Sequence, residues 1–386
     1  MFDFLLVGRS ERIAFPLLQA LHSADLGRCA VAGTPETARL RWSRLCSQHT
    51  VIDFADDDVA LAQLNSWASQ NPAALLVPYD CEGLRLACRL KSRLALACLP
   101  LPELATLNMF DDKWAFHQFC LSHGLPVPLT LWIGPKSALD FNALTAALGL
   151  PFVVKPTNAS GSVGVVVVHG REQFQQDIID KPGYDFSTLI AQQFIAGADM
   201  DINLLAHQGL LRAVSIHRPG AQYIEFVGHT QLEAIAQKLS HLSHYSGLMN
   251  VDARLENGSG RVFLIESNPR FWATLASTVY CGLNFAEASL QAEPAGTAEP
   301  LRLNSGRYHV RHPLFRPSCW GTLLLDRGPR GRLLRARTFD LYAMGELLGQ
   351  VPSIFKRLAR RLAPARRQPG QLHKPSRMPW SGGSKV

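Results

Sequence analysis

Val262-Phe263-Leu264-Ile265-Glu266-Ser267-Asn268-Pro269-Arg270 is the stretch on which the reading of this chain turns. An apolar run of strand length ends in a carboxylate, with an amide two residues on and a guanidinium two further. In an extended chain the period of two sets Glu266, Asn268 and Arg270 on one face. Two oxygen donors beside a fixed cation suit a magnesium–phosphate site. Asp252 stands upstream on the apolar segment Met249–Leu255. That segment is predicted to form a hairpin with Val262–Ser267 across Asn257-Gly258-Ser259-Gly260.

A second cluster lies further upstream. Val153-Val154-Lys155-Pro156 reads as a strand, followed by Ser160-Gly161-Ser162-Val163-Gly164 and four valines. Glycines let backbone N–H groups approach a ligand closely, serines add hydroxyl donors, and the lysine adds charge, so the loop can cradle phosphates. It is not a Walker A loop, because no Gly-Lys-Ser/Thr follows and the next element is a strand. A plain hairpin turn with a solvated lysine explains the loop equally well taken alone. Gln192-Gln193-Phe194-Ile195, followed by Asp199, is a strand running into a loop; its main chain can hydrogen-bond an adenine edge and Asp199 a ribose. Lys113 sits in a helix expected over Asn108–His123, with Asp111 and Asp112 in its first turn.

The first hundred residues alternate between strand-like segments (Phe4–Val7, Cys29–Ala32, Thr50–Phe54, Ala74–Pro78) and helix-like ones (Ile13–His22, Pro35–Cys46, Val59–Gln70, Cys81–Lys91). This is the pattern of a parallel α/β sheet. The first strand-to-helix turn carries a single glycine, Gly8, so the dinucleotide fingerprint is absent and NAD or FAD is not expected. Hydrophobic residues make up 47% of the 386 and charged residues 18%, an ordinary globular balance. No apolar run approaches the ~20 residues of a membrane span, and the N-terminus reads as a buried strand, not a signal peptide. Eight cysteines without a C-x-x-C pair read as reduced thiols of a cytoplasmic protein. The formal charge of +8 is uneven: residues 327–386 hold 14 Lys and Arg against 2 Asp and Glu, and the remainder 25 against 29.

Taken in order, these motifs resemble the ATP-grasp superfamily, in the branch that looks like carbamoyl-phosphate synthetase and biotin carboxylase. The resemblance runs from about Phe4 to Phe285 and is strongest over Pro151–Val168 and Gly247–Phe285, including Asn268-Pro269-Arg270-Phe271-Trp272. It implies an α/β chain with an N-terminal Rossmann-like parallel-sheet domain (residues 1–105) and a two-subdomain ATP-grasp fold (106–300, with a flap over about 125–190). A C-terminal extension (301–338) and a basic tail (339–386) follow. Lys113 and Lys155 then look like the pair on the nucleotide phosphates, and Ser160, Gly161, Ser162 and Gly164 like the flap over them. Gln192, Gln193, Phe194 and Ile195 resemble the adenine hinge, with Gln192 where the family commonly has an acid. Asp199 matches the ribose acid, and Asp252, Glu266 and Asn268 the ligands of magnesium, with manganese as a substitute ion. Lys155 and Arg270 match the groups that steady the transferred phosphoryl.

The implied activity activates a carboxylate as an acyl phosphate with ATP and joins it to an amine, releasing ADP and phosphate. Two rivals stay open: a phosphotransferase without ligation, and a non-catalytic nucleotide-binding protein recruited to a membrane. The partners implied are small-molecule carboxylates and amines, with a homodimer left open. Arg218 or Arg254 would hold a substrate carboxylate, against the plainer reading of each as a surface arginine. The tail is expected to form a helix over Phe339–Val351. After Pro352, the apolar stripe Ile354, Phe355, Leu358, Leu362 opposes Lys356, Arg357, Arg360 and Arg361. Such a helix suits an anionic membrane surface through residues 352–367, giving a cytoplasmic protein peripheral at the membrane; a solvated or docked helix is the plainer reading. Nucleic acid is not an expected partner, since aromatic interleaving is nearly absent.

Overall fold

The computed structural model describes residues 3–159, 161–291, 299–345 and 347. Contacts divide the chain into Met1–Ala343 and Met344–Val386. Ser160 and the expected basic helix after Pro352 lie outside the described residues.

Five strands form the first sheet: β1 (Phe4–Val7), β2 (Cys29–Gly33), β3 (Cys46–Val51), β4 (Leu75–Pro78) and β5 (Ala97–Cys98), in the order β3-β2-β1-β4-β5. Every pairing is parallel, as the βα alternation predicts. β1 and β2 are buried along their whole length between helix layers, which explains their uninterrupted apolar character. The third strand differs from expectation. It begins at Cys46, and the helix before it is a short 3-10 helix over Pro35–Trp42. β3 is an edge strand with mostly exposed polar residues, so no apolar run marks it.

The two remaining sheets hold the site between them. A four-stranded antiparallel sheet is built from β6 (Thr130–Gly134), β7 (Phe152–Pro156), β8 (Val166–Val168) and β9 (Leu189–Gln193), in the order β6-β9-β7-β8. The larger sheet contains β10 (Gly197–His207), β11 (Leu210–Pro219), β12 (Tyr223–Val227), β13 (Gly247–Glu256), β14 (Val262–Asn268), β15 (Leu301–Leu303) and β16 (Ser305–His309). Its path runs β14-β13-β10-β11-β12-β16, with β15 pairing β11. The expected hairpin across Asn257–Gly260 forms, and a second one turns at Gln208-Gly209. One face of this sheet packs the helix Thr230–Leu242, burying Leu232, Ile235, Ala236 and Leu239 at helical spacing. The opposite face carries the polar residues of the site beside apolar ones, among them Leu205, Ala213 and Phe226, that belong to a second core.

Two expected helices are divided by aspartates. Asn108–His123 is two helices, Leu104–Asp111 and Lys113–Ser122, because Asp112 takes an extended conformation and its carboxylate caps the second, accepting from Ala115 N at 2.8 Å. The expected helix over Phe339–Val351 begins only after Asp340. A separate helix, Pro329–Phe339, ends there, and the buried Asp340 carboxylate accepts from Ser43 Oγ at 2.9 Å and Tyr342 N at 3.0 Å. All eight cysteines are free thiols, and among the described residues no helix is long and apolar enough to cross a membrane.

Candidate active site

The break at Asp112 fixes the first residue of the site. Lys113 begins its helix, and its backbone N–H donates to Thr157 O at 3.0 Å, tying that helix to the end of β7. Its side chain is buried, donates to Ala159 O at 2.6 Å and lies 3.3 Å from Glu266 Oε2. Lys155, on β7, crosses to the other sheet and donates to Ile265 O at 3.3 Å. That carbonyl is available because β14 carries a bulge: Asp252 pairs with Glu266 but Ala253 with Leu264, leaving Ile265 as the extra residue.

Electrostatic strain concentrates here. Burial lowers the Lys155 ammonium to about 8, with Lys113 adding to the shift and Glu266 and Asp252 opposing it. Burial pushes the Asp252 carboxyl well above the usual carboxylate range, and its neighbours Asp201 and Glu266 push it further. Among the described residues no three His, Cys, Asp or Glu side chains converge as a metal site by themselves. A divalent cation would therefore need the Asn268 amide and non-protein oxygens to complete its shell. The donors fit a hard ion such as magnesium, which keeps few protein ligands, and a cation here would relieve the repulsion on Asp252.

The expected alignment of Glu266, Asn268 and Arg270 holds for the first two. β14 ends at Asn268, and Arg270 reaches the site by a turn, with its backbone N–H on Asn268 O and its Nη2 donating to Asn268 Oδ1 at 2.9 Å. Pro269 cannot extend the ladder, which is why the strand stops.

Two cavities share this wall. One of about 400 Å³ is lined by Lys113 and Lys155, the hinge Gln192, Gln193, Phe194 and Ile195, and also Asp199, Asp252 and Glu266. Gln192 is buried, and its Nε2 donates to Thr130 Oγ1 at 2.9 Å, which turns its amide oxygen into an available acceptor. Asp199 Oδ1 is 3.5 Å from Arg254 Nε, while Arg254 donates to Gly197 O at 2.6 Å and lies over the Phe194 ring. Arg254 thus belongs to this smaller cavity, and Arg218, paired across the strands with Glu225, lines neither one.

The second cavity, about 1430 Å³, opens between the larger sheet and the parallel-sheet domain and contains Asp252, Glu266, Asn268 and Arg270 together with Gly161 and Ser162. The flap loop enters it with Gly161, Ser162 and Gly164 all at positive φ. At Gly164 a Cβ would come within 2.6 Å of the Phe186 ring, so only glycine fits. From the other side come Arg9, Arg12, Glu36 and Glu82, which the sequence did not mark. At the first strand-to-helix turn, where a dinucleotide phosphate would sit in a Rossmann fold, the Asp80 carboxylate accepts from Arg9 N at 2.7 Å, Ser10 N at 2.8 Å and Gly83 N at 2.9 Å. That turn is filled from within.

Two sheets, one antiparallel and the other antiparallel except for β15 beside β11, thus close on a lysine pair and a carboxylate–amide strand. Residues 185–308 match the family described as ATP-grasp in the biosynthetic pathway with Ter operon, and residues 135–224 the D-Ala–D-Ala ligase C-terminus. The matched span, residues 135–308, is thus similar to ATP-grasp proteins. A D-alanine–D-alanine ligase of Aromatoleum aromaticum is 27% identical over 175 residues, 41% of this chain and 55% of that protein. The arginine-specific carbamoyl phosphate synthase large chain of Bacillus subtilis is 22% identical over 186 residues, 43% of this chain and 17% of its own. The match to the ligase thus spans about half of the ligase's length. Among solved structures, the biotin carboxylase domain of the Hydrogenobacter thermophilus 2-oxoglutarate carboxylase superimposes with a TM-score of 0.59 at 15% identity, covering 80% of this chain and 73% of that one. The L-amino acid ligase of Bacillus licheniformis does so with a TM-score of 0.56 at 17% identity, covering 75% and 73%. The α/β ATP-grasp architecture inferred from the motifs is the one observed.

Proposed function

We propose that this ATP-grasp chain is an ATP- and magnesium-dependent ligase that activates a carboxylate as an acyl phosphate and joins it to an amine. The observation that carries the reading is the shared wall: Asp252 and Glu266 line both cavities, with Lys113 and Lys155 on the smaller side and Asn268 and Arg270 on the larger. A nucleotide in the smaller cavity would extend its γ-phosphate toward a carboxylate in the larger. In our assignment the hinge from Gln192 to Ile195 reads adenine, Asp199 the ribose, and the loop including Ser160, Gly161, Ser162 and Gly164 covers the phosphates.

The chemistry divides among the residues as follows. Lys113 and Lys155 offset charge on the nucleotide phosphates, which phosphoryl transfer requires more than covalent help. The substrate carboxylate oxygen attacks the γ-phosphorus as the bond to the β–γ bridging oxygen breaks, and ADP leaves. Arg270 offsets charge on the transferred group. Asp252, Glu266 and Asn268 would hold magnesium, or manganese in its place, which would supply Lewis-acid neutralisation of phosphate oxygens. A deprotonated amine then attacks the acyl carbon and phosphate departs with the bonding pair. The larger cavity carries both signs, Arg9 and Arg12 against Glu36 and Glu82, which suits zwitterionic substrates. Amino acids, the substrates in the names of both ligases above, are therefore the first class to screen.

Purified protein with magnesium–ATP should release ADP only when both a carboxylate and an amine are supplied, and hydroxylamine should trap a hydroxamate. Glu266→Ala should abolish turnover and weaken magnesium–ATP binding; unchanged turnover in that variant would sink the assignment. ADP release with no hydroxamate would favour the phosphotransferase reading, and tight ATP binding without hydrolysis across the panel the non-catalytic one. For the basic segment 352–367 we keep the sequence-based reading of an anionic membrane surface, tested by salt-sensitive binding to anionic liposomes that truncation after Val351 removes. Homodimerisation, the state named for the carboxylase domain above, is tested by light scattering. The division at residues 105, 300 and 338 remains our working boundary set, open to limited proteolysis.

A further inference from the structure

Two rungs of polar side chains cross four strands of the larger sheet. Pairing aligns His217, Asp201, Asp252 and Glu266 in one rung and Ser215, Asn203, Asn250 and Asn268 in the next. The rungs are two residues apart on every strand, so both face the same side. Asp252, Glu266 and Asn268 are accounted for by the proposed function. His217, Asn203 and Ser215 are not, although each is at most 1% exposed. Burying such groups is unfavourable unless each finds a partner.

The partners form a directional chain. His217 Nε2 lies 2.9 Å from Asp201 Oδ2. Asn203 Nδ2 lies 3.3 Å from His217 Nδ1 and also donates to Ser215 Oγ at 3.1 Å. Asn203 Oδ1 accepts from Asn250 Nδ2 at 3.2 Å, Asn250 Oδ1 from Asn268 Nδ2 at 3.2 Å, and Asn268 Oδ1 from Arg270 Nη2 at 2.9 Å. Turning over any one amide would set donor against donor or acceptor against acceptor. A guanidinium only donates and a carboxylate only accepts, so both ends demand the same polarity. His217 meets that demand in one form: N–H at Nε2 toward Asp201, lone pair at Nδ1 toward Asn203.

We propose that His217 is a positioning residue for the phosphoryl-transfer corner. Held by Asp201 as the Nε2–H tautomer, it sets, through Asn203 and Asn250, the orientation in which Asn268 presents its oxygen. This rests on the roles proposed above for Asn268 and Arg270. Arg270 is the end that must let go, because a guanidinium turned to a phosphoryl group releases Asn268 Oδ1. The His217 end then keeps the amides aligned; an Asn268 turned over would offer its NH2 group to a cation.

The test needs neither the carboxylate nor the amine. Ring-¹⁵N-labelled histidine in the full chain should show, for the signal lost in His217→Gln, a protonated Nε2 and an unprotonated Nδ1, with and without magnesium–ATP. His217→Phe keeps the ring volume without the nitrogens and should raise the magnesium concentration for half-maximal ATP binding by about tenfold, the effect of one mismatched buried hydrogen bond. His217→Gln can accept from Asn203 and donate to Asp201, and should recover to within about twofold of wild type. A ring that only fills space would leave the magnesium requirement unmoved in His217→Phe, and that result, or a proton on Nδ1, overturns the proposal. Should His217→Phe not fold, the ring spectrum and His217→Gln decide. Unaltered magnesium–ATP binding in Asn268→Leu would instead overturn the site assignment itself, whatever tautomer is found.

Discussion

Lys155 is held charged in a place that resists charge, and that resistance is measurable. Its side chain is 2% exposed, and burial lowers its ammonium from 10.5 to about 8, against the pull of Glu266 and Asp252. At 1.36 kcal/mol per unit, keeping Lys155 protonated in the ligand-free fold costs about 3 kcal/mol. Lys155→Met keeps most of the volume and removes the charge, so the variant should be more stable than wild type at pH 7 by up to about 3 kcal/mol, while magnesium–ATP binding weakens. The sign of the pH dependence follows from proton counting. Between pH 8 and 10.5 the unfolded chain holds the Lys155 proton more tightly than the folded one, so wild-type stability from this group rises with pH through that window. By pH 9 the wild type should have regained about 1 kcal/mol relative to Lys155→Met. Urea unfolding of both proteins at pH 7 and pH 9 measures this difference, from which thiols and tyrosines titrating alike in both proteins cancel. A variant less stable than wild type at pH 7, or an advantage that does not narrow by pH 9, would refute the argument that burial governs this lysine.

Two further substitutions probe how the scaffold shapes the site. Asp80→Ala removes the acceptor of three backbone N–H bonds and should cost about 2–3 kcal/mol, less than three charge-assisted bonds alone because burial already pushes the Asp80 carboxyl up. Sulfate should bind the emptied turn and restore part of the melting temperature of that variant only; identical sulfate responses in the two proteins would contradict the filled-turn reading. Asp112→Ala should lose the helix cap, about 1 kcal/mol in thermal unfolding, and weaken ATP binding by about fivefold as Lys113 loses its place. Asp112→Ser, which keeps a capping oxygen, should stay near wild type; unaltered ATP affinity in Asp112→Ala would separate the cap from the lysine.

The parts of the site legible in the sequence are those in which chemistry and spacing lie within one local element. Glu266 and Asn268 alternate on one strand, and Lys155 precedes a glycine-rich turn. Asp201 and His217 are invisible by that route: each is one polar residue in an alternating strand, indistinguishable from a solvated face until pairing sets Asp201 beside Asp252 and His217 beside Asp201. Asn203 and Asn250 are hidden for the same reason. The break at Asp112 is ambiguous in sequence because an aspartate suits a first helical turn as well as a cap, and apolar periodicity continues on both sides of it. Arg9 and Arg12 reach the larger cavity only because the parallel-sheet domain packs beside it, which no local pattern encodes.

Charge balance explains why the proposed nucleotide and metal should arrive together. Lys113, Lys155 and Arg270 bring three positive groups to the corner, and Asp201, Asp252 and Glu266 three acidic ones. Metal-free ATP would add several negative charges beside Asp252, whose carboxyl is already driven upward by burial and by its acidic neighbours. That repulsion opposes what the two lysines supply, each of which also donates to a backbone carbonyl. A divalent cation held by Asp252, Glu266 and Asn268 would offset that repulsion, favour the ionised Asp252 carboxylate and leave the lysines to phosphate oxygens. On the proposed assignment, the acidic rung that strains the ligand-free corner would favour the metal complex over the bare nucleotide.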